Sequence, residues 1–430
     1  MRGIGWLLPG LLGLLLLLAT GCAGAPKTTG AVHVLRADGP VNPVLASYID
    51  RGIDGAEKNG VAVVLELDTP GGLDSSMRKI IQRILASRVP VIVYVYPLGA
   101  RAASAGTFIT MAGHVAAMAP NTAIGAAHPV GGGGEELEGA IADKVTNDAV
   151  AYIKGIARLR GRNEDWAEKA VRQSLSVHQD DAVALKVVDL VAPDLPSLLR
   201  AVDGREVQLS EGPAVLRTAT APTVRNDMSL VERFLYAISD PNIAFLLMTL
   251  GATALIFEFI NPGAILPGVF GAIALLLAFF SVGSLPFNWA ALLLIGLAFI
   301  LFILELFVTS FGLLAIGGVI SLGLGGLLLV SQTAPGIELH RWLVFSISGA
   351  IGAFFALAMT AVFRSRRRPV AVGTQTLLGR TAVARTELSP EGTVFVEGEL
   401  WSAICEDGDV APGEEVVVTA VEGLKLRVRK

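Results

Sequence analysis

Ser104 lies in Gly99-Ala-Arg-Ala-Ala-Ser-Ala-Gly-Thr107, a run of small residues where a strand-like stretch gives way to a helix-like one. A hydroxyl at a helix N-terminus gains from the positive end of the helix dipole as it becomes an alkoxide, and small neighbours let a substrate backbone approach. The same serine reads at least as well as a helix N-cap. Upstream, an apolar run closes in Asp68-Thr-Pro-Gly-Gly72. Two glycines after a strand leave backbone N–H groups able to hold a developing oxyanion, or they form a plain strand-to-helix turn. A nucleophilic serine needs a base. His114 and His128 are candidates for a Ser/His/Asp arrangement, and Lys144 is another. A lysine works as a base only when neutral, which requires burial. The partly apolar flanks Ile141-Ala142-Asp143 and Val145-Thr146 are expected to provide it, although most lysines are simply exposed. The Gly131–Gly134 run is not a phosphate loop, because no Gly-Lys-Ser/Thr follows. Glu135, Glu136 and Glu138 make the segment between Ser104 and Lys144 acidic.

These residues must be carried by alternating strands and helices. Strands are expected over Val32–Arg36, Val61–Leu67, Val91–Tyr96 and Val115–Met118; the second is a continuous apolar run, as in a buried parallel strand. Helices are expected over Pro43–Asn59, Ser75–Ser87, Ala103–Ala112, Asp143–Arg160 and Asn163–Ser174. Repeated βα units imply a parallel sheet covered by helices, an α/β domain over residues 30–203. Residues 204–242 read as a strand-containing linker.

Composition then turns apolar. Of 430 residues, 53% are hydrophobic and 17% charged, too apolar for an ordinary soluble chain, and charges nearly vanish between Ile243 and Phe363. Five spans are expected, near 243–260, 264–284, 289–307, 311–330 and 343–363, forming a membrane domain over 243–363. Glu258-Phe-Ile-Asn-Pro-Gly263 has an echo around Glu305 and Phe311-Gly312, which suggests a duplicated hairpin; both glutamates read as interfacial caps. Arg364, Arg366, Arg367 and Arg368 mark the end of the last span as cytoplasmic. Five spans put the α/β domain outside, in agreement with residues 1–25, which read as a signal peptide. Cleavage after Ala25 and a lipobox ending at Cys22, a possible lipidation site, are both compatible with that segment. With two cysteines, Cys22 and Cys405, no disulfide framework is expected, and a net charge of −4 without a basic stripe excludes nucleic acid as a partner. Residues 370–430 alternate strand and turn signals, as in a small β-barrel.

Taken together, Leu65-Glu-Leu-Asp-Thr-Pro-Gly-Gly72, the Gly99–Thr107 run, Ala116-Ala-Met-Ala-Pro120, Ile124-Gly-Ala-Ala-His-Pro129 and Gly161-Arg-Asn163 closely resemble the long form of the NfeD family, membrane-bound serine proteases of the ClpP/SppA class. Leu378-Gly379, Gly392, Gly398-Glu399, Trp401, Gly408, Gly413 and Gly423-Leu424 are similar to that family's C-terminal domain. The resemblance implies a ClpP/crotonase-like α/β domain, then a helical membrane domain, then a small all-β OB-fold. It implies Ser104 as nucleophile, Lys144 as base, and an oxyanion hole from Gly71 or Gly72 with Ala105, leaving the histidines structural or substrate-lining. No cofactor or metal is expected. It further implies an endopeptidase at the outer face of a bacterial cytoplasmic (inner) membrane that forms homo-oligomers, contacts membrane lipid and acts on apolar segments of a stomatin/SPFH-type partner. Two rival readings are a non-catalytic scaffold for such partners and a crotonase-type acyl-CoA enzyme; the Ser104/Lys144 pair argues against the first, and export against the second.

Overall fold

The computed structural model describes residues 30–131, 137–261, 263, 265–284, 287–308, 310–329, 339–366 and 377–430. The expected signal peptide with Cys22, the loop glycines 132–134 with Glu135 and Glu136, and Arg367 and Arg368 lie outside the described residues.

In the N-terminal domain the strands are β1 (Ala31–Asp38), β2 (Gly60–Asp68), β3 (Val91–Val95), β4 (Arg101–Ala103), β5 (Val115–Met118), β6 (Ala123–Gly125), β7 (Ser176–His178), β8 (Leu190–Val191), β9 (Glu206–Leu209), β10 (Gly212–Val215) and β11 (Thr223–Arg225). The helices are α1 (Pro43–Asn59), α2 (Asp74–Leu85), α3 (Ala105–Ala112), α4 (Gly139–Leu159), α5 (Glu164–Arg172), α6 (Gln179–Ala184), α7 (Leu195–Val202) and α8 (Leu230–Ile238). A six-stranded sheet runs β11-β1-β2-β3-β5-β8, parallel throughout. Helices cover both faces, so β2 and β3 bury apolar residues on both sides rather than alternating, Glu66 excepted: Val63, Leu65, Leu67 and Val93 join one core, and Ala62, Val64, Ile92 and Tyr94 the other. A second small sheet, β4-β6-β7, is joined to the carboxyl end of β2 through the Thr69–Ala102 bridge.

The first helix shows how the boundaries are written in the chain. Asn42 is extended and its side chain accepts from Leu45 N at 2.9 Å, with Pro43 in the first turn. Arg83 on α2 bonds Asp50, Asp54 and Glu57 on α1. Burial pushes the Glu57 carboxyl up, but hydrogen bonds from Arg83 and Arg88 override it and hold it down at about 2.

The stretch expected to be a linker is largely part of this domain. β11 is the sheet's edge strand, registered on β1 through Val32–Thr223 and Val34–Arg225. β9 and β10 form a hairpin, and α8 packs on α1. A three-residue edge strand has no periodicity of its own; its pairing comes from a partner about 190 positions earlier.

The apolar stretch forms α9 (Pro241–Ile260), α10 (Ile265–Ser284), α11 (Trp289–Phe307), α12 (Leu313–Leu328) and α13 (Arg341–Arg366). Among the described residues, α9, α10 and the α11 helix are long and apolar enough to cross a membrane; α12 and the apolar part of α13 are shorter than that measure. α9 packs on α10 and α11 on α12 as two hairpins. Small residues bring the first pair together: a Cβ on Gly251 would lie 3.0 Å from Gly271 O. Glu305 caps α12 as expected, accepting from Gly312 N at 2.9 Å, Ala315 N at 3.1 Å and the Ser310 hydroxyl.

The C-terminal unit is a closed barrel of β12 (Thr381–Ala384), β13 (Glu391–Val396), β14 (Glu399–Cys405), β15 (Glu415–Glu422) and β16 (Lys425–Arg429), in the order β12-β13-β14-β16-β15. Its interior is Ala382, Val394, Val396, Ala403, Val416, Val418, Leu426 and Val428, with Cys405 buried among them. The expected fold class, an α/β domain of ClpP type, a helical membrane domain and a small all-β OB-fold-like barrel, is the one observed.

Candidate active site

The site forms where β2 and the connection after β3 end, at the carboxyl edge of the parallel sheet, as open α/β sheets favour. Ser104 joins β4 to α3 with φ +51 and ψ −116. A non-glycine residue is held there only when its surroundings over-determine it. Here they do. Ser104 N–H donates to Gly125 O at 3.0 Å, and Ser104 O accepts from Thr107 N at 2.9 Å. The fully buried Thr107 hydroxyl reaches Ala102 O at 2.9 Å and Gly125 O at 2.8 Å. The Ser104 side chain makes no cap hydrogen bond to the helix it precedes. Its backbone is not the extended conformation of an N-cap, and its hydroxyl has no partner among the described residues.

Thr69–Gly72 runs beside this elbow. Gly71 has φ +124, and a Cβ there would meet Ser104 Cβ at 2.7 Å. Gly72 has φ +154, and its Cβ would strike Val41 O at 2.2 Å. Val41 pairs with Gly72 as an isolated parallel bridge, through Val41 N to Gly71 O (2.8 Å) and Leu73 N to Val41 O (2.9 Å). That pairing spends the groups on either side of Gly72 and leaves the Gly72 N–H itself on the opposite edge. Ala105, at the first position of α3, has one of the N–H groups that a helix cannot pair internally. Neither the Gly72 nor the Ala105 N–H has an acceptor among the described residues. Gly71 differs: its N–H already donates to Thr69 Oγ1 at 3.1 Å. Of the three expected oxyanion donors, two are available and the third shapes the loop.

Small residues also have a reason other than substrate access. A Cβ on Gly106 would lie 2.5 Å from Thr69 Cγ2, so the first turn of α3 packs directly on the Thr69 strand.

Ser104, Gly72, Ala105 and Lys144 line one cleft of about 850 Å³. Its wall is largely apolar, from Met77, Phe108, Val130, Ile141 and Val145. Ile141, Lys144, Val145 and Asp148 follow the i, i+3, i+4, i+7 spacing that sets them on one face of α4. The burial expected around Lys144 is not present. The first half of α4 stands clear of the domain, Ile141 is 66% exposed, Lys144 is exposed, and the helix first becomes buried at Ala149. Arg78 on α2 steadies this projecting half: its guanidinium bonds Asp148 at 2.5 Å and Asp74 at 2.8 Å and lies 4.4 Å from the Tyr152 ring centre. Arg78, Asp148 and Phe108 were not anticipated, because residues meeting across 70 positions leave no local motif.

The histidines lie apart from this arrangement. His114 is buried and its Nδ1 accepts from Val91 N at 3.1 Å; burial, with Arg160 and Arg162 nearby, pushes its pKa down to about 3. His128 follows the cleft residue Ala127, but its Nδ1 is bound to Val171 O at 2.9 Å. Among the described residues, no cluster of His, Cys, Asp and Glu suited to a metal ion occurs.

In this α/β domain, joined to helices apolar enough to cross a membrane, a serine whose hydroxyl has no partner among the described residues sits on a strained elbow beside backbone N–H groups without acceptors, an arrangement compatible with the serine class of membrane-associated hydrolases. The comparisons give the family. Residues 31–199 match the NfeD1b N-terminal domain, 242–361 the NfeD integral membrane domain, and 374–430 the NfeD-like C-terminal, partner-binding domain. The chain is 38% identical over 410 residues to the membrane-bound protease PH1510 of Pyrococcus horikoshii, covering 92% of each. It is 27% identical over 458 residues to membrane protein NfeD1b of Bacillus subtilis, covering 98% of each. Among solved structures, the 1510-N membrane-bound stomatin-specific protease, a lysine-to-alanine variant in complex with a substrate peptide, is 36% identical; the match covers 49% of this chain and 98% of that one, with a TM-score of 0.46. The chain belongs to the NfeD family, in the long architecture with all three domains.

Proposed function

We propose that this chain is a membrane-bound serine endopeptidase, with Ser104 as nucleophile, Lys144 as general base, and the Gly72 and Ala105 N–H groups as the oxyanion hole. The observation that carries the reading is the free Ser104 hydroxyl on a strained elbow, between two unpaired N–H groups and in the same cleft as Lys144. Lys144 Nζ removes the hydroxyl proton as Oγ attacks the scissile carbonyl. The negative oxygen of the tetrahedral intermediate accepts from the two backbone N–H groups, and Nζ returns the proton to the departing amine. Water, deprotonated by Nζ, then cleaves the acyl-enzyme.

The exposed Lys144 side chain adds a condition. A lysine base must be desolvated, and an apolar peptide filling the cleft against Ile141 and Val145 would exclude that water. The apolar lining favours apolar segments of membrane-associated proteins as substrates. The family membership and the partner-binding C-terminal domain favour a stomatin/SPFH-type partner. We assign the hydrolase domain to the extracytoplasmic side of a bacterial inner membrane, the barrel to the cytoplasm, five spans to the region between, and a homo-oligomeric, lipid-embedded working form.

The test is cleavage of apolar peptides by the full-length protein in lipid. Ser104→Ala is expected to lower turnover by ~10³-fold or more. Lys144→Ala should do the same, and Lys144→Arg should not rescue it, because a guanidinium keeps its charge but cannot shed its proton. His114→Ala or His128→Ala should retain measurable turnover. Full activity in Ser104→Ala, or activity abolished by a histidine substitution but kept in Lys144→Arg, would overturn the assignment.

A further inference from the structure

Helix α8 has two opposed faces, one fastened to the domain and one exposed. It opens on a capping box, in which Ser229 Oγ accepts from Glu232 N at 3.2 Å and Glu232 accepts from Ser229 N at 2.7 Å. Glu232 also takes both arms of the Arg51 guanidinium at 2.7 Å. One turn on, the Tyr236 hydroxyl donates to Asp38 O at 2.7 Å, over the missing side chain of Gly39. Glu232 and Tyr236, at i and i+4, thus fasten one face of α8 to the hydrolase domain. On the other face Leu230, Val231 and Phe234 are 79%, 66% and 55% exposed. Leucine, valine and phenylalanine on one helix face left exposed among the described residues are not ordinary surface composition.

We propose that this face of α8 lies in the lipid headgroup–acyl boundary and seats the hydrolase domain on the membrane surface. The occupant follows from the position of the helix in the chain. Only Ser239 and Asp240 separate α8 from α9, which begins at Pro241 and is apolar enough to cross a bilayer. Two residues reach at most about 7 Å. The headgroup region on each side of the hydrocarbon core is itself roughly 5–7 Å deep. Asp240 caps α9, accepting from Asn242 N at 2.8 Å, so the joint is ordered rather than a long tether. α8 also packs on α9 and α10, close to the membrane helices themselves. Arg233 is exposed beside the apolar stripe, where its long stem allows the charge to reach the headgroups. A second protein chain fits less well: three side chains expose far less than the roughly 800 Å² per partner of a stable protein interface.

The experiment places a photoreactive benzoylphenylalanine at position 231, 233 or 234 of the full-length protein in phosphatidylcholine vesicles, with position 270 on α10 as the membrane-embedded control. Lipid adducts are expected at 231, 234 and 270, several-fold above those at 233. Protein–protein adducts at 231 and 234 would overturn the proposal, as the face would then be covered by another chain. Absence of any adduct at 231 and 234, with lipid adducts at 270, would overturn it in favour of a water-exposed face. Val231, Arg233 and Phe234 are all exposed, and replacing any of them by a larger aromatic removes no side-chain hydrogen bond among the described residues, so a folded protein is expected in each case.

Discussion

At the scale of single residues, the site depends on where side chains are absent as much as on where they are present. Gly71 stands against Ser104 with φ +124, and an added Cβ would lie 2.7 Å from Ser104 Cβ. Gly71→Ala should therefore displace Ser104, the proposed nucleophile: peptide turnover should fall by roughly 10²-fold or more, the scale of a misplacement of about 1 Å, and the thermal midpoint should also fall, because alanine is strained at a positive φ. Unchanged turnover would mean the elbow tolerates displacement and is not the reacting geometry. The motif around Ser104 was legible because its chemistry is local, in small residues on a strand-to-helix turn. Whether the serine was a cap or a free hydroxyl was not, since that depends on Gly125 O and Thr107 holding the backbone. The histidines were ambiguous for the same reason: only the fold ties His114 to Val91 and His128 to Val171. His114 also carries a stability prediction. Its pKa is pushed down to about 3, below the ordinary value of 6.5, so the neutral ring is the folded form. Between pH 6.5 and about 3 the unfolded chain binds a proton that the folded chain refuses; stability present above pH 6.5 is lost as pH falls through that window, on the order of 5 kcal/mol in total. Denaturant midpoints of His114→Gln should fall less steeply over that range than those of the parent.

At the scale of elements, the question is what holds α4 over the serine. Only its second half is buried; the half bearing Lys144 is steadied by Arg78 through Asp148, Asp74 and the Tyr152 ring. Arg78 is 31% exposed and Asp148 66%, so the ion pair contributes little stability, about 0–1 kcal/mol. Its effect on positioning is larger. Arg78→Ala is expected to lower turnover roughly tenfold to a hundredfold through Lys144 geometry, with less than about 1 kcal/mol of destabilisation. Asp148→Ala should have a similar effect, and the double variant should be little worse than either single one. Fully additive losses would separate the two residues and refute the tether. Elements differ in how far local sequence specifies them. α1 has its cap, its first-turn proline and its apolar face in one stretch, and its ends fall at Pro43 and Asn59 as expected. β4, β6, β7 and β11 are three residues each and exist only because a partner strand is offered from elsewhere. That is why the segment before the membrane helices read as a linker.

For the whole molecule, the question is the number of membrane crossings. α12 has 16 residues, about 24 Å of helix against a hydrocarbon core of about 30 Å, whereas α13 reaches about 39 Å over its 26 residues, although its apolar part alone is shorter than a span. Glu305 at the start of the α11–α12 turn is buried and fully bonded, so the second hairpin can sit in lipid without an unpaired charge at its tip. Parity makes the matter testable. If α12 and α13 both cross, or neither does, the number is odd and the two soluble domains face opposite compartments. If only one crosses, they share one. Arg364 and Arg366 at the end of α13 favour a cytoplasmic end there, and the signal peptide proposed for residues 1–25 would export the first domain. Native Cys405 is a poor reporter, because it is 6% exposed inside the barrel and would resist labelling in any compartment. Leu424, 83% exposed on the turn between β15 and β16, and Glu211, exposed between β9 and β10, are suitable positions. In intact cells an impermeant maleimide should label Glu211→Cys and leave Leu424→Cys unlabelled until the membrane is opened. Labelling of both before permeabilisation would require an even number of crossings, with α12, too short to span unaided, the helix that fails to cross.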